Sequence, residues 1–167
     1  ATSHCLQVFG EFRGKDNPEL ILTLDPAPQV ILKLVGTGKG TAGMDPGDLQ
    51  DKTGIPVVAL EYGNLGTMKE ELYGSLRIMA DVVGKQQRAD AICRFLDDHV
   101  ADLKKRTADI PEQRRPSVYL GGVAYAGPHG FQSTEPTYPP FRFVGARNLA
   151  DNANPQTGEI TGTDIAK

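Results

Sequence analysis

Gly121-Gly-Val-Ala-Tyr-Ala-Gly-Pro-His-Gly-Phe-Gln-Ser-Thr-Glu-Pro-Thr-Tyr-Pro-Pro-Phe141 decides the reading of this chain. It sets glycines, aromatics, one histidine and one glutamate directly after an apolar strand, Ser117–Leu120. That is the composition of a binding loop carried by a regular element. Upstream, Lys85–Thr107 carries an uninterrupted helical pattern, with Ala89, Ile92, Leu96, Val100 and Leu103, then Ile110, at steps of mostly three and four residues. At 1.5 Å per residue such a helix spans about 35 Å, roughly the width of a small domain.

Composition sets the outer limits. The chain has 167 residues, 39% of them apolar and 23% charged, with a net charge of −3, as expected of a globular domain. Its largest cationic cluster is Lys104-Lys105-Arg106. That is too small for the electrostatic footprint that a phosphate backbone requires, so nucleic acid is excluded as a partner. These three cations fall in the last turns of the long helix, where they offset the negative end of its dipole. No apolar run approaches the roughly 20 residues of a membrane span. Ala1–Arg13 has neither the basic start nor the apolar core of a signal peptide, so the expected chain is mature, truncated or cytoplasmic. Two cysteines, Cys5 and Cys93, are too few for a disulfide scaffold and too far apart for a metal knuckle. Cys93, beside the apolar stripe of the long helix, is expected to be a small buried hydrophobe.

Along the chain helix and strand alternate. Asn17 is the expected N-cap of a short helix with Pro18 at its first position, and Asp25-Pro-Ala-Pro28 stops it. Gln29–Val35 reads as a buried strand, broken only by Lys33, that empties into Gly36-Thr-Gly-Lys-Gly-Thr-Ala-Gly43. Asp45-Pro46 opens another short helix, ending at Gly54. Ile55–Glu61 is the second strand and empties into Tyr62-Gly-Asn-Leu-Gly66. Thr67 and Glu70 form the pattern of a capping box for a helix to Val83, with Gly84 as its stop. After the polar connector Pro111–Pro116 the composition shifts to Gly, Pro and aromatics, which marks a lobe boundary.

Strands separated by helices imply parallel pairing, and open parallel sheets hold ligands outside the carboxyl ends of their strands. The expected fold is therefore α/β, organised as an N-terminal lobe over residues 1–84, an inter-lobe helix over 85–110, and the start of a second lobe over 111–167. Three loops occupy strand ends, and together they would edge a cleft. They offer a ligand Gly38 and Lys39; Tyr62, Gly63 and Asn64; and Tyr125, His129, Ser133 and Glu135. Tyr125, His129 and Glu135 bring phenol, imidazole and carboxylate to one loop, chemistry suited to a hard metal complex. His129 is read as a cleft-lining residue rather than an iron ligand. Tyr62 and Tyr138 could stack on a flat ligand or simply cover a lobe edge. His99, beside Asp98 in mid-helix, is read as a surface residue, and the Glu70-Glu71 and Asp97-Asp98 pairs as solvated helix faces. No catalytic constellation, metal site or cofactor motif emerges, so the chain is not read as an enzyme.

One rival must be weighed. Gly36-Thr-Gly-Lys-Gly-Thr41 copies the end of a P-loop after an apolar strand, which would make the chain a nucleotide-binding phosphotransferase. The first glycine of that motif would fall on Lys33, and Gly43, Pro46 and Gly47 interrupt the helix that should hold phosphate on its amides.

Four quoted stretches carry a family resemblance. Asn17-Pro-Glu-Leu-Ile-Leu-Thr-Leu-Asp-Pro followed by Gln-Val-Ile-Leu, and Lys52-Thr-Gly-Ile-Pro-Val-Val-Ala-Leu60 into Glu61-Tyr62-Gly63, are similar to two helix-strand segments of a first lobe. Tyr73-Gly-Ser-Leu-Arg-Ile-Met-Ala-Asp-Val-Val-Gly-Lys followed by Arg88-Ala-Asp resembles the lead into a backbone helix. Arg115-Pro-Ser-Val-Tyr-Leu-Gly-Gly-Val, the Gly-Pro-His-Gly-Phe loop and Phe143-Val-Gly-Ala-Arg-Asn-Leu-Ala-Asp resemble the opening of a second lobe. Over about residues 10 to 155 the chain resembles the type III, single-helix-hinged substrate-binding proteins of ABC importers for iron-siderophores, haem and cobalamin. The resemblance implies an incomplete member of that fold, since the family continues further through its second lobe. It implies a receptor, periplasmic or extracellular and membrane-anchored, peripheral to the membrane. Such a receptor captures an iron complex of ferric-siderophore type between lobes and delivers it to a permease driven by an ATPase. A haem or cobalamin receptor is the alternative within the same fold.

Overall fold

The computed structural model describes residues 16–35, 43–122, 130–131 and 134–151. In order the elements are α1 (Pro18–Leu22), β1 (Ile31–Val35), α2 (Pro46–Thr53), β2 (Val57–Glu61), α3 (Lys69–Val83), α4 (Gln86–Thr107), a 3-10 turn (Glu112–Arg114), β3 (Ser117–Val118), α5 (Pro139–Val144) and β4 (Arg147–Asn148). The chain divides into two compact units: Ala1–Asn64 with Glu70–Gln86, and Leu65–Lys69 with Gln87–Lys167. Among the described residues no helix is long and apolar enough to cross a membrane.

In the first unit β1 and β2 pair in parallel, from Ile31 opposite Val57 to Val35 opposite Glu61. The helices beside them start where side chains satisfy orphan amides. Asn17 Oδ1 accepts from Leu20 N at 3.0 Å, and Pro18 occupies the first helical position, where its missing N–H costs nothing. Asp45 Oδ1 accepts from Gly47 N at 2.8 Å and Asp48 N at 3.4 Å at the start of α2. Ile21 of α1, Leu49 of α2 and Ile55 form the core of this unit, with Ile31, Met44 and Val57 packed against them.

α3 starts at Lys69, one residue later than a Thr67 cap would place it, and ends on Gly84. Gly84 takes φ 64°, Lys85 N donates to Ala80 O at 2.7 Å and Gly84 N to Asp81 O at 3.4 Å, a Schellman ending that needs the left-handed backbone glycine tolerates. Ser75 Oγ donates to Glu61 O at 2.8 Å and fixes α3 at the carboxyl end of β2.

β1 departs from the expected burial. Successive side chains in a strand point to opposite faces, and the face toward α1 and α2 carries Ile31, Lys33 and Val35. Lys33, the one polar interruption, is 7% exposed, whereas Leu32 and Leu34 are 40% and 60% exposed. The reason is Asp16, whose Oδ2 stands 2.6 Å from Lys33 Nζ and also accepts from Met44 N at 2.7 Å.

The second unit is organised by α4, continuous over 22 residues or about 33 Å. Ala89 and Cys93 are buried, and Ile92, Leu96, Val100, Leu103 and Thr107 continue the same face half-buried. Ile110 lies past the helix end and is 38% exposed. His99 is exposed, its Nδ1 2.7 Å from Phe95 O and its ring 4.0 Å from that of Phe95. β3 and β4 form a second parallel pair, Ser117 opposite Arg147 and Val118 opposite Asn148, separate from the β1–β2 sheet. Arg115 sets their approach, donating from Nε to Ile110 O at 3.3 Å and from Nη1 to Gly145 O at 3.2 Å. Both units thus hold parallel strands joined through helices, which makes the fold α/β.

Removing the carboxylate from a largely buried ion pair takes the counter-charge from the buried ammonium. Asp16→Ala is expected to lower stability by about 2–3 kcal/mol, below the fully buried range because Asp16 keeps some exposure, while Lys33→Met costs under about 1.5 kcal/mol. Urea unfolding of the two variants checks this, and equal losses would contradict it.

Candidate ligand-binding site

Parallel strands deliver their carboxyl ends to one edge of a sheet, and in the first unit that edge is where Tyr62, Gly63 and Asn64 emerge. In the first unit Val35 and Glu61 end side by side. Gly38 and Lys39, with the whole Gly36–Thr41 motif, lie outside the described residues. Tyr62, Gly63 and Asn64 leave β2 directly, Tyr62 58% exposed and the other two half-buried. α2 begins only at Pro46, and its first amides are already taken by the Asp45 carboxylate. An anion there would have to displace a like-charged group.

In the second unit the strand exit is drawn tight. A Cβ on Gly121 would sit 2.6 Å from Phe131 O and 2.7 Å from its ring, so only glycine permits this approach. Tyr119 closes the same point, its hydroxyl donating to Phe131 O at 2.6 Å and its ring 5.0 Å from the Phe131 ring. Phe131 itself is 66% exposed. Burial raises the Tyr119 phenol above its ordinary range, so it stays a donor throughout neutral pH. Tyr125, His129 and Ser133 lie outside the described residues.

Glu135 is described and half-buried, in a segment held from β4. Asn148 Nδ2 donates to Glu135 O and to Pro136 O, both at 2.9 Å, and its Oδ1 accepts from Ala150 N at 3.0 Å. Thr137 Oγ1 lies 3.4 Å from Glu135 Oε1, a long contact that leaves the carboxylate largely available. Thr134 is 4% exposed, and among the described residues its Oγ1 has no hydrogen-bond partner. Tyr138 is half-buried at the start of α5, edge-on to Phe141 at 5.0 Å, which makes it a packing residue.

Tyr62, Gly63 and Asn64 therefore share one strand exit, and Glu135 belongs to the other unit. Sequence reasoning did not single out Phe131, Thr134 or Asn148, nor α5 and β4. Pro139 at the first helical position and Gly145 past the last were the available signals for α5. A separate hollow of about 600 Å³ in the first unit, lined by Asp16, Asn17, Glu19, Leu22, Met44 and Lys52 among others, contains none of the described candidate residues. Among the described residues no group of three or more His, Cys, Asp or Glu side chains could hold a metal ion.

A family model described as periplasmic binding protein matches residues 35–161. Three solved structures share the fold. A periplasmic solute binding protein from Veillonella parvula is 19% identical with a TM-score of 0.62, the match covering 94% of this chain and 43% of that one. A periplasmic heme binding protein from Pseudomonas aeruginosa is 18% identical with a TM-score of 0.54, covering 81% and 46%. A TroA-like periplasmic binding protein, FepB, also from Veillonella parvula, is 20% identical with a TM-score of 0.54, covering 90% and 42%. The chain thus spans under half the length of each of these three. Comparison with curated proteins gives no match.

The Tyr119 hydroxyl gives a pH-dependent prediction. Its pKa is raised in the folded state, so as pH rises past about 10 the unfolded chain loses the proton first and stability falls. The contribution is complete below about pH 10 and is lost as pH climbs through the folded value. Tyr119→Phe should cost about 1 kcal/mol at pH 8, with the gap to the parent narrowing above pH 10. Urea unfolding across pH 8–11 reads it, and a gap that widens would contradict it.

Proposed function

The chain belongs to the periplasmic binding protein family, and from that premise we propose that it serves as the solute receptor of an ABC importer, taking up an iron complex of ferric-siderophore type. The family is described as periplasmic binding protein and the neighbours are titled as solute-, heme- and iron-binding proteins, which supports reading this chain as a binding protein and not as an enzyme. The observation that carries the finer reading is the β3 exit, where Tyr119 and Gly121 close on Phe131, with the Glu135 backbone held from the end of the paired strand β4. That is where a sheet of this class holds ligands. The solved structures that share the fold include one titled as a heme binding protein and one, from Staphylococcus epidermidis at 12% identity and a TM-score of 0.53, titled as a possible iron-binding protein. Both titles favour an iron-bearing solute. Delivery to a permease and its ATPase follows from the importer role.

Ligand residues proposed in the first unit are Gly38, Lys39, Tyr62, Gly63 and Asn64, and in the second Tyr125, His129, Ser133 and Glu135. The domain reading of an N-terminal lobe to residue 84, a helix to 110 and a second lobe beyond stands as part of the same proposal. A phosphotransferase built on Gly36–Thr41 is disfavoured by the Asp45 cap, which already occupies the amides at the start of α2.

Titration of the protein with a ferric trihydroxamate and with haemin, read by tyrosine quenching or calorimetry, tests the reading. Tyr125→Ala and His129→Ala are each expected to weaken the bound complex by about 1–3 kcal/mol, roughly five- to 150-fold, while Lys104→Ala leaves it unchanged. Unchanged affinity in both loop variants would remove that loop from the site. A preference for haemin would turn the reading to a haem receptor of the same fold. ATP and GTP are expected to leave the thermal midpoint unmoved. A nucleotide-dependent rise abolished by Lys39→Ala would replace the receptor with a phosphotransferase.

A further inference from the structure

Asn148 is buried to 7% exposure in β4, and it spends both amide hydrogens on the carbonyls of two successive residues, Glu135 and Pro136, while its own oxygen receives Ala150 N. A side-chain amide has two donors and one oxygen, so this asparagine is fully donated. Aspartate would face two carbonyl oxygens with a third acceptor, and leucine would leave two backbone carbonyls without a partner. The bonds run 12 and 13 residues back along the chain, from the strand beside the loop to the loop's closing segment. They set the backbone at Glu135 and hence the origin of its side chain. The segment carries two polar groups that local structure does not consume. Among the described residues the Glu135 carboxylate has one long contact, to Thr137, and the buried Thr134 hydroxyl has none. A buried hydroxyl without a partner is uncommon in a native structure and calls for an explanation, such as a group supplied by something bound.

We propose that Asn148 is a positioning residue that holds Glu135 as an anionic reader, so that the site prefers iron complexes bearing a peripheral ammonium or other hydrogen-bond donor over those with an acetylated or carboxylate-bearing periphery. The inference rests on the receptor reading above and names the substrate class within it. A fixed carboxylate attracts a cationic ligand edge and repels an anionic one, and its worth grows as water leaves the site. Glu135 is the group that touches the ligand; Asn148 acts through it.

The test compares two probes of nearly identical size: a ferric trihydroxamate with a terminal ammonium, and the same complex N-acetylated. The parent protein should bind the ammonium form about five- to tenfold more tightly. Glu135→Gln should abolish that preference, bringing the ratio near one. Asn148→Leu should reduce it and speed amide exchange at 135–138, with exchange in α4 unchanged. The affinity ratio separates positioning from stability, because general loosening weakens both probes together. Should Asn148→Leu fail to fold, Glu135→Gln and Asn148→Asp decide the matter by the same ratio. Equal affinity of the parent for both probes, or a preference surviving in Glu135→Gln, overturns the inference and leaves the receptor function standing. Binding of neither probe overturns both.

Discussion

The first unit depends on a single carboxylate oxygen. Asp16 Oδ2 receives the Lys33 ammonium from the middle of β1 and the Met44 amide from the approach to α2, so three separate stretches of chain meet at one acceptor. Charge-assisted bonds of this kind are short and directional, and the alternative, a lysine buried beside Ile31 and Val57 without its counter-charge, is costly. The pair therefore selects which face of β1 turns inward. Slipping the strand by one residue would bury Leu32 and Leu34 and expose Lys33, a gain in apolar burial that would sacrifice the Asp16 contacts. Once that face is fixed, Ile31 and Val57 lie beneath Ile21, Leu49 and Ile55, and the strand ends at Val35 and Glu61 fall together.

The second unit meets the same demand with neutral acceptors, backbone carbonyls and a hydroxyl, in place of a carboxylate. Arg115 spans from Ile110 O after α4 to Gly145 O after α5, the Arg147 guanidinium lies on Ser117 Oγ, and Asn148 reaches back to Glu135 and Pro136. Apart from the local Arg115–Ile110 bond, these join segments 12 to 30 residues apart, which a parallel pair of two residues per strand cannot secure by its ladder alone. Ala150, fully buried against Tyr119, is the small apolar centre around which these bonds are arranged.

The regular elements were legible because their signals are local. Asn17-Pro18 and Asp45-Pro46 cap α1 and α2 as their residue types require, Gly54 and Gly84 end helices in the left-handed region, and the stripe from Ala89 through Leu103 runs the length of α4. Alternation of helix and strand led to parallel pairing, and both pairs are parallel. What escaped were features decided by distant partners. The apolar run of β1 suggested a strand buried throughout, but the partner of Lys33 lies 17 residues upstream and inverted its burial. β4 is two residues long, Arg-Asn, with no apolar pattern to betray it, and its identity comes from pairing with β3. The candidate site shows the same division. Tyr62 and Glu135 could be picked out by chemistry and loop position, whereas Asn148 matters only through two carbonyls that no spacing rule links to it.

The electrostatic character of the strand ends follows from how each anion is used. Asp45 is consumed by the amides of Gly47 and Asp48, so the start of α2 presents a neutralised helix end where a phosphate would otherwise be welcome. Glu135 is treated in the opposite way: its backbone carbonyl is consumed by Asn148, while among the described residues its carboxylate keeps only the long Thr137 contact. One acid closes an anion site and the other leaves a negative group available next in sequence to a buried hydroxyl. Each arrangement disfavours an anion at its own place, and on the receptor reading proposed above the second suits a solute that offers a donor to a carboxylate.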